Sequence, residues 1–435
     1  MKTSRGMCSA SMLKTAYLIG RSLLGIRAAA IVFAVVEFSA GGTAQTVTSL
    51  HTFSDGGDGA NPAATVVSDP KGNLFGTTWY GGSLTCNGGA GCGTIFQETA
   101  PTTQDGHWTF STLYRFSGGD DGCCNSSVLA IGAGGKLYGV TNGGLPNGSL
   151  FELAQDNGGK WQFSLLYTFP NQSTGEYPLT PLLIDGAGAI YAASTFGGLP
   201  GCSYNSGCGT VIQLVPPDGN SGAWTEKTLY QFRGGNDGGN PSSSLVLING
   251  SLYGSTYVGG KVTSNCPLGC GIVFQLNPTS LGYWAETAIY TFQDRPDGAS
   301  PYSLVAGATG SLYGLACCNG NASQYNVFKL SLQNGLWTKT ILYDFLQGGP
   351  NYLTIGSNGN LYGTRFGEID FGAGQVFELT PPPEEPGAWR LKTLVNFNKS
   401  GPSRNPNGVV LGKFGALYGT LNGGDSDFGA VFAVK

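Results

Sequence analysis

A three-part pattern repeats along almost the whole chain, and it constrains the fold more than any other feature of the sequence. The first part is Leu-Tyr-Gly or a close variant, the second is a run similar to Val-Phe-Gln-Leu, and the third is a Trp six residues before a Tyr or Val and eight before a Phe. Copies of the first part begin at Leu74, Leu137, Ile190, Leu252, Leu312, Leu361 and Leu417. This repetition predicts an array of similar units.

Each part of the pattern predicts a β-strand, because it is rich in β-branched and aromatic residues and is bounded by Gly, Asn, Asp or Pro. A further apolar run, such as residues 244–248, precedes each Leu-Tyr-Gly. The repeat therefore contains four strands, which we name A (the 244–248 type), B (Leu-Tyr-Gly), C (Val-Phe-Gln-Leu) and D (the Trp strand). Units of four strands and about 56 residues are typical of propeller blades.

The order of the strands at the two ends of the pattern predicts how the array closes. A lone D-type run, Val47 to Phe53, comes first, and strands A, B and C of a seventh unit come last, at residues 407–435. Pairing the first D with the last C removes the exposed sheet edges that an open array would carry. The sequence therefore predicts an all-β, seven-bladed β-propeller of four-stranded blades, with the N-terminal strand completing the last blade.

The recurrent aromatic and glycine residues of the pattern have structural explanations. Both faces of a blade are buried against neighbouring blades, so we expect the repeated Trp, Tyr and Phe side chains to form the core between blades. We expect the Gly of Leu-Tyr-Gly to permit a close approach of the backbone to its surroundings. No copy continues as a phosphate-binding loop.

Residues 1–44 differ in composition from the rest and are typical of a secretory signal. Five basic residues precede the apolar run 28–36, and Gly42-Thr43-Ala44 offers a small-residue cleavage site before Gln45. The run is shorter than the roughly 20 residues that a bilayer span needs. We therefore expect a signal peptide at 1–44, a single propeller domain at 45–435 with no membrane span, and a secreted, periplasmic or extracellular location. An uncleaved N-terminal anchor is the alternative.

The cysteines that follow the signal fall into local groups, which favours disulfides in an oxidising compartment. We predict three bridges, which are Cys86–Cys92, Cys202–Cys208 and Cys266–Cys270. The adjacent cysteines Cys123-Cys124 and Cys317-Cys318 form either strained vicinal disulfides or pairs of free thiols. Clustered cysteines can also bind zinc, but no repeated CxxC spacing occurs and the chain has two histidines.

Charge and histidine content exclude several functions. The chain carries 22 basic and 26 acidic residues, with a net charge of −4 and no basic stripe, so we expect no nucleic-acid partner. Two histidines cannot build a histidine-rich copper or zinc centre. The sequence implies no cofactor other than calcium, which is discussed below.

The pattern resembles two known repeats. Leu-Tyr-Gly, then a glycine pair such as Gly81-Gly82, then a Val-Phe strand and a Trp resemble a kelch blade. The longer form Leu-Tyr-Gly-Thr-Thr, Gly-Gly and Gly-Thr-Val-Phe is more similar to the tandem GloVer repeat of exported bacterial choice-of-anchor proteins. This resemblance covers about Thr46 to Lys435 and implies export and a propeller-like array, but no reaction. Those proteins often end in an anchoring segment, whereas this sequence ends within a strand, so we do not expect a C-terminal anchor.

Sequence also distinguishes the two faces of the ring. In a four-stranded meander the B-to-C and D-to-A connections emerge on one face, which we call the loop face, and the A-to-B and C-to-D turns on the other, the turn face. The turn face carries short turns whose residues are explained by turn formation alone. The spaced cysteines, long glycine-rich loops and a repeated Asp-Gly connection mark the loop face, where we expect function because loops on a rigid scaffold usually carry it.

Two sets of loop-face residues are candidates for ligand binding. Aromatic residues at the start of the B-to-C loops could stack on sugar rings beside two acidic residues of the last blade; they are Trp79, Tyr80, Phe196, Tyr257 and Phe366, with Asp425 and Asp427. The alternative is that these aromatics pack beneath their own loops. Aspartates in and near the Asp-Gly connections offer hard oxygens for calcium; they are Asp55, Asp58, Asp120, Asp121, Asp237, Asp294 and Asp297. The alternative here is a turn in which each carboxylate accepts backbone N–H bonds.

Together these features predict an exported, monomeric binding or interaction module, with carbohydrate or another cell-envelope polymer as its ligand. One alternative is a carboxylate-based glycoside hydrolase or polysaccharide lyase, because that chemistry needs only two acids about 5–9.5 Å apart. Another is a structural surface repeat without catalysis. The enzyme hypothesis requires acidic side chains that converge on a central pocket, whereas the binding hypothesis requires a shallow surface rimmed by aromatics.

Overall fold

A computed structural model describes residues 45–123, 128–141, 148–169, 181–202, 207–219, 222–317, 324–346, 348–366, 374–384, 387–397, 403–423 and 427–435. Residues Gln45–Lys435 form one compact unit. The predicted signal segment and the candidate residues Cys124, Cys318 and Asp425 lie outside the described residues. None of the described residues forms a helix with the length and hydropathy that a bilayer span requires.

Seven antiparallel sheets, one for each blade, form the ring. Strand β1 (Val47–Thr52) comes first in the chain and belongs to the last blade. Blade 1 contains β2 (Ala60–Pro62), β3 (Val67–Ser68), β4 (Leu74–Tyr80), β5 (Thr94–Thr99) and β6 (Thr109–Arg115). Blade 2 contains β7 (Ala130–Ile131), β8 (Leu137–Thr141), β9 (Ser149–Gln155) and β10 (Trp161–Thr168). Blade 3 contains β11 (Leu183–Ile184), β12 (Ile190–Ser194), β13 (Thr210–Val215) and β14 (Thr225–Gln231).

The second half of the chain forms the remaining blades. Blade 4 contains β15 (Gly239–Pro241), β16 (Val246–Ile248), β17 (Ser251–Val258), β18 (Ile272–Pro278) and β19 (Trp284–Thr291). Blade 5 contains β20 (Ala299–Ala306), β21 (Leu312–Cys317), β22 (Tyr325–Gln333) and β23 (Leu336–Phe345). Blade 6 contains β24 (Pro350–Ile355), β25 (Leu361–Arg365), β26 (Gln375–Thr380) and β27 (Arg390–Asn396). Blade 7 contains β28 (Ser403–Leu411), β29 (Leu417–Gly423) and β30 (Ala430–Val434), together with β1.

The predicted order of strands A to D is confirmed, with strand A divided in two in blades 1 and 4. Strands A of neighbouring blades contact one another, as β20 does β24 and β24 does β28, which places strand A innermost and strand D outermost. Closure by the N-terminal strand is confirmed as well. Strand β1 pairs with β30 from Val47 opposite Val434 to Thr52 opposite Ala430. Thr46 and Lys435 also exchange two backbone hydrogen bonds of 3.1 Å.

The recurrent aromatics form the contacts between blades, as the sequence predicts. We call the contact surface between two consecutive blades a seam. At six seams the D-strand Trp packs against the B-strand Tyr or Phe of the preceding blade, with ring centroids 5.1–6.5 Å apart; the pairs are Trp108–Tyr418, Trp161–Phe75, Trp224–Tyr138, Trp284–Tyr191, Trp337–Tyr253 and Trp389–Tyr313. At six seams the D-strand Phe meets the C-strand Phe of the following blade at 5.1–5.6 Å; examples are Phe232–Phe274 and Phe53–Phe96.

The glycine of Leu-Tyr-Gly lies beneath an aromatic ring. A Cβ added at Gly254 would lie 2.4 Å from Cζ of Phe274, and the same C-strand Phe covers the equivalent glycine in five other blades. Blade 3 has Ala192 instead of this glycine, and it also has Ile212 instead of the phenylalanine. The space removed by the extra methyl group is therefore recovered by the smaller C-strand side chain.

A chain of side-chain to backbone bonds links the innermost strands of several blades. In blades 4 to 7 the residue after an A-strand Pro donates to the carbonyl of the A-strand Pro in the next blade; the bonds are Ser242 to Pro301, Tyr302 to Pro350, Asn351 to Pro406 and Asn407 to Pro62. The last bond crosses the seam between blades 7 and 1. The centre of the ring is thus held by specific polar bonds in addition to the apolar seams.

Candidate functional site

The B-to-C loops and the D-to-A connections pack against one another on the loop face. Gly82 in the first B-to-C loop donates its N–H to the carbonyl of Gly56 in the D-to-A connection beside it, at 2.9 Å. Gly260 donates to Gly235 in the same way in blade 4, also at 2.9 Å. In these two blades the long loop is therefore supported by the connection that enters its own blade.

Disulfides close three of these loops, as predicted. They join Cys86 to Cys92, Cys202 to Cys208 and Cys266 to Cys270, with Cα atoms 5.9, 4.9 and 5.1 Å apart. The first two bridges lie over a glycine of the adjacent D-to-A connection: a Cβ at Gly118 would lie 2.8 Å from Sγ of Cys92. The adjacent cysteine pairs have only Cys123 and Cys317 among the described residues, and both side chains are buried.

The repeated Asp-Gly connection has one hydrogen-bond arrangement in four copies. Each carboxylate accepts the backbone N–H of the residue four positions earlier at 2.8–3.1 Å; the pairs are Ser54–Asp58, Ser117–Asp121, Arg233–Asp237 and Gln293–Asp297. The residue seven positions earlier also bonds the carboxylate, and it is Tyr114, Tyr230 or Tyr290 in three copies and His51 in the first. These carboxylates fasten the end of strand D to the connection that follows it.

This arrangement supports the turn hypothesis, in which each carboxylate accepts a backbone N–H bond, more than it supports calcium binding. Within the described ranges no three His, Cys, Asp or Glu side chains are grouped so that they could hold a metal ion. Asp294 is buried and accepts hydrogen bonds from Thr263 Oγ1 at 2.8 Å and Asn265 Nδ2 at 2.9 Å, both in the B-to-C loop of blade 4. Asp120 lies on the surface and Asp55 is half-buried. Calcium binding stays a prediction that a thermal melt with chelator and with added calcium tests.

Serine, histidine and aspartate meet at Asp58, but their geometry is not that of a hydrolase triad. The aspartate lies between the other two: Ser54 Oγ donates to Asp58 Oδ1 at 2.7 Å, and His51 Nε2 lies 3.1 Å from Asp58 Oδ2. A triad instead needs the serine bonded to the histidine. Blade 1 repeats the arrangement with Tyr114 in the position of His51. Burial, which outweighs the bond to Asp58, lowers the pKa of His51.

The predicted aromatic residues differ in exposure. Tyr257 and Phe366 are about half exposed, at 49% and 47% of their surface. Trp79, Tyr80 and Phe196 are half-buried, and Trp79 packs on the core that joins blades 1 and 2. The acidic partner Asp427 is half-buried and accepts the N–H of Gly429 at 3.0 Å. Two of the five aromatics therefore present a large free surface; Tyr257 lies near the end of strand β17 in blade 4, and Phe366 directly follows β25 in blade 6.

The sequence analysis missed Tyr302, which lies near two other tyrosines, Tyr325 and Tyr257. Burial raises the pKa of Tyr302 on the innermost strand of blade 5, and the neighbouring Tyr325 and Tyr257 raise it further. The Tyr302 hydroxyl donates to the carbonyl of Pro350, which fixes its ring at the centre of the propeller. The position of Tyr302 directly after Pro301 is the sequence signal that could have indicated it, since residues after the A-strand proline point to the next blade.

The carboxyl groups with the highest pKa do not converge on one site. Burial raises the pKa of Glu98 to about 7, and burial together with the charge of Asp237 raises that of Glu286 to about 7. Glu98 belongs to blade 1 and Glu286 to blade 4, so they lie in different sheets. The convergent pair that the enzyme hypothesis requires is therefore not formed by these two acids.

Two cavities among the described residues are open and peripheral. One of about 440 Å³ runs along the outer strand β14 and is lined by Leu199, Tyr230, Arg233 and Trp284 among others. Another of about 420 Å³ lies at the β26–β27 turn, beside Pro382 and Arg390. Neither is lined by a residue of an innermost strand. The first combines aromatic rings with a guanidinium group, which is a suitable lining for a sugar.

Comparisons with known proteins identify a repeat and a fold. The family model described as the Gloeobacter/Verrucomicrobia repeat matches residues 34–264 and 146–354. No curated protein matches the chain. Among solved structures, a candidate 6-phosphogluconolactonase from Bacteroides uniformis is 14% identical, with 82% of this chain and 89% of that chain covered and a TM-score of 0.50. The S511A mutant of puromycin hydrolase is 15% identical, with 83% and 50% covered and a TM-score of 0.52. At these identities the likeness concerns the fold alone.

Proposed function

The chain belongs to the Gloeobacter/Verrucomicrobia repeat family, and from that premise we propose that it is an exported β-propeller that binds an extended carbohydrate, or another polymer of the cell envelope, on its loop face. The observation that carries this proposal is the exposure of Tyr257 and Phe366 at the bases of long loops on a rigid ring. An aromatic face that is fixed in place and open to solvent can stack on the apolar face of a sugar ring.

Three features of the loop face support a binding role. Disulfides fix the B-to-C loops of blades 1, 3 and 4, so a ligand would lose little affinity to loop ordering. Ser300 Oγ on the innermost strand of blade 5 donates to the Tyr257 carbonyl at 3.1 Å, which helps to fix the backbone that carries the Tyr257 ring. The two cavities described above are open to solvent, and an open surface suits a chain that extends beyond the protein better than it suits a small molecule enclosed in a pocket.

Export is part of the proposal. Residues 1–44 have the composition of a secretory signal, and three disulfides are typical of proteins that fold in an oxidising compartment. N-terminal sequencing of the protein recovered from the periplasm or medium tests it. A start near Gln45 supports export with cleavage, and an intact Met1 contradicts the cleavage.

A glycan array combined with a hydrolysis screen on the same purified protein tests the binding function. The informative variant is Tyr257→Ala combined with Phe366→Ala, and the matched control is Tyr283→Ala, which removes a tyrosine of similar exposure, 56%, from the turn face. We expect the double variant to lose on the order of 10-fold or more in affinity, since stacked aromatics contribute about 1 kcal/mol each beyond burial, and the control to bind normally. Equal binding by all three proteins would refute this site, and product release would favour the glycosidase or lyase.

A further inference from the structure

Glu98 interrupts the apolar pattern of the repeat. In every blade one C-strand residue pairs with the first residue of Leu-Tyr-Gly, and in six blades it is a buried aliphatic side chain; these are Leu153, Leu214, Leu276, Leu330, Leu379 and Val434. In blade 1 it is Glu98, opposite Leu74. Its exposed fraction is 0%, and neither carboxyl oxygen has a hydrogen-bond partner. A carboxyl group therefore occupies a position that the repeat otherwise fills with hydrocarbon.

The seam that contains Glu98 is the one beside the ring closure. In blade 4 the equivalent Leu276 belongs to the core shared with the preceding blade 3. By the same geometry Glu98 faces blade 7, where Leu74 and Phe96 of blade 1 pack with Phe53, Tyr418 and Val431. Blade 7 is the blade whose sheet is completed only by the pairing of β1 with β30. We call this contact the 7–1 seam.

No charged partner compensates the carboxyl group. The titratable side chains of the surrounding elements are His51 in β1, Asp69 and Lys71 in the β3–β4 turn, Asp105 and His107 in the β5–β6 turn, and Lys413, Tyr418 and Lys435 in blade 7. His51 stacks on Phe110, the residue opposite Glu98, and its ring bonds Asp58. None of these side chains bonds Glu98. Their bonds go elsewhere: Lys413 Nζ donates to the Pro101 carbonyl at 3.0 Å and Tyr418 donates to the Lys413 carbonyl at 2.8 Å. Asp69 accepts from Asn73, and Lys435 Nζ donates to the Gln104 carbonyl. Burial is accordingly the cause that raises the pKa of Glu98.

We propose that Glu98 is a pH-sensitive switch of ring closure, which holds the 7–1 seam shut while it is protonated and loosens that seam when it ionises. The protonated side chain has nearly the shape of the leucine found in the other seams and carries no charge. The ionised side chain brings an uncompensated charge into an apolar contact, which is strongly unfavourable. Opening of the seam lets water reach the carboxylate.

The direction of the effect follows from the pKa values. The pKa rises from its ordinary value of 4.5 to about 7 in the closed ring. Below about 4.5 the group is protonated whether the seam is open or closed, and the seam has its full stability. As pH rises from there to about 7 the stability of the seam falls, and above about 7 it stays at its lower value. The shift corresponds to an opening equilibrium on the order of 100-fold more favourable in mild base than in acid.

Hydrogen exchange resolved by peptide tests the proposal in the full-length protein. It is measured at about pH 5 and about pH 8 and corrected for the intrinsic pH dependence of exchange. We expect amides of β1, β30 and the facing strands of blade 1 to lose protection at the higher pH, while blades 3 to 5 do not. Glu98→Leu and Glu98→Gln should abolish this pH response and leave the seam closed at both values.

Two further variants separate the switch from general destabilisation. Leu214→Glu in the Glu98→Leu background places an acid at the equivalent position of the seam between blades 2 and 3, and the pH response should then appear in those blades instead of at the 7–1 seam. Glu286→Gln removes the other carboxyl whose pKa reaches about 7, and it should leave the response of the 7–1 seam intact. A pH response that persists in Glu98→Leu, or that is spread evenly over all seven blades, would overturn the proposal.

Discussion

Single residues of this repeat show which properties a blade tolerates. The glycine of Leu-Tyr-Gly can be replaced when the side chain above it shrinks, as Ala192 and Ile212 show in blade 3. The residue two positions after the D-strand Trp varies more in type from blade to blade. Its side chain faces, across the seam, the Tyr and Asp that are bonded at the Asp-Gly connection of the preceding blade, and different side chains can bind there. There Phe163 stacks on Tyr114 at 4.4 Å, while Lys339 Nζ binds Asp297 Oδ1 at 2.8 Å.

A pair of substitutions tests whether the glycine of Leu-Tyr-Gly can be replaced when the side chain above it is smaller. Gly254→Ala should destabilise the protein by about 1–3 kcal/mol, because the added methyl group overlaps the buried Phe274 ring. Gly254→Ala combined with Phe274→Ile, which reproduces blade 3, should be more stable than the sum of the two single changes predicts. Urea denaturation of the four proteins measures the coupling. Strict additivity would show that the glycine has another role.

Glu286, which lies two residues after the D-strand Trp284, tests whether a cation is favoured at that position. Glu286→Lys should place an ammonium group near Asp237 as Lys339 is placed near Asp297, and should stabilise the protein by about 1 kcal/mol at about pH 8. The gain should be smaller at about pH 5, because wild-type Glu286, with a pKa of about 7, is then protonated and its burial no longer costs stability. Thermal melts at the two pH values measure both quantities. Glu286→Gln is the control that removes the acid without adding a cation.

Among the elements, the innermost strands position the loop face. Asn240 on β15 adopts a left-handed conformation with φ of 54° and reaches into the loop of blade 3, where its side-chain amide donates to the carbonyls of Thr195 and Gly207. Its own backbone N–H donates to the carbonyl of Cys208 at 2.7 Å. Asn61 and Ser300 hold the same kind of position in blades 1 and 5. The disulfide loops of blades 3 and 4 are thus fastened to the next blade as well as to their own.

Substitutions of Asn240 should separate the contributions of bonding and backbone conformation. Asn240→Gly keeps the positive φ and loses the amide bonds, at a cost of about 1–2 kcal/mol. Asn240→Ala should cost about 1 kcal/mol more, because alanine disfavours the left-handed region. At Asn249, with φ of 50° in a turn on the opposite face, Gly should be tolerated without that first cost. Equal stability of Asn240→Gly and the wild type in chemical denaturation would show that the amide bonds do not stabilise the ring.

At the scale of the whole molecule, the ring depends on its two ends. All five residues of β30 are buried, with β29 on one side and β1 on the other. Polar bonds from Asn407 to Pro62 and from Thr420 to Ala64 cross the 7–1 seam near the axis. We therefore expect the arrangement of the loop face to depend on this circuit.

Removal of the closing strand tests that dependence. A variant that starts at Ser54 should lose the protection of the β30 edge, melt at a lower temperature than one that starts at Gln45, and associate through the exposed edge. Size-exclusion chromatography and thermal unfolding of the two proteins measure these effects. A monomer with unchanged melting temperature would show that six complete blades hold the seventh without β1.

The sequence alone determined the architecture, because the evidence for it is local and repeated. The sequence shows the strand-forming runs, their spacing and the lone first D strand without any knowledge of tertiary contacts. The same is true of the cysteine pairs that are six or fewer residues apart. What only the tertiary structure decided lies across the seams. That Glu98 lies in the 7–1 seam without a hydrogen-bond partner, that Asn407 donates to the Pro62 carbonyl, and that Thr420 donates to the Ala64 carbonyl each depend on residues that the closing of the ring brings together. Such contacts join residues that are distant along the chain, so no periodicity records them.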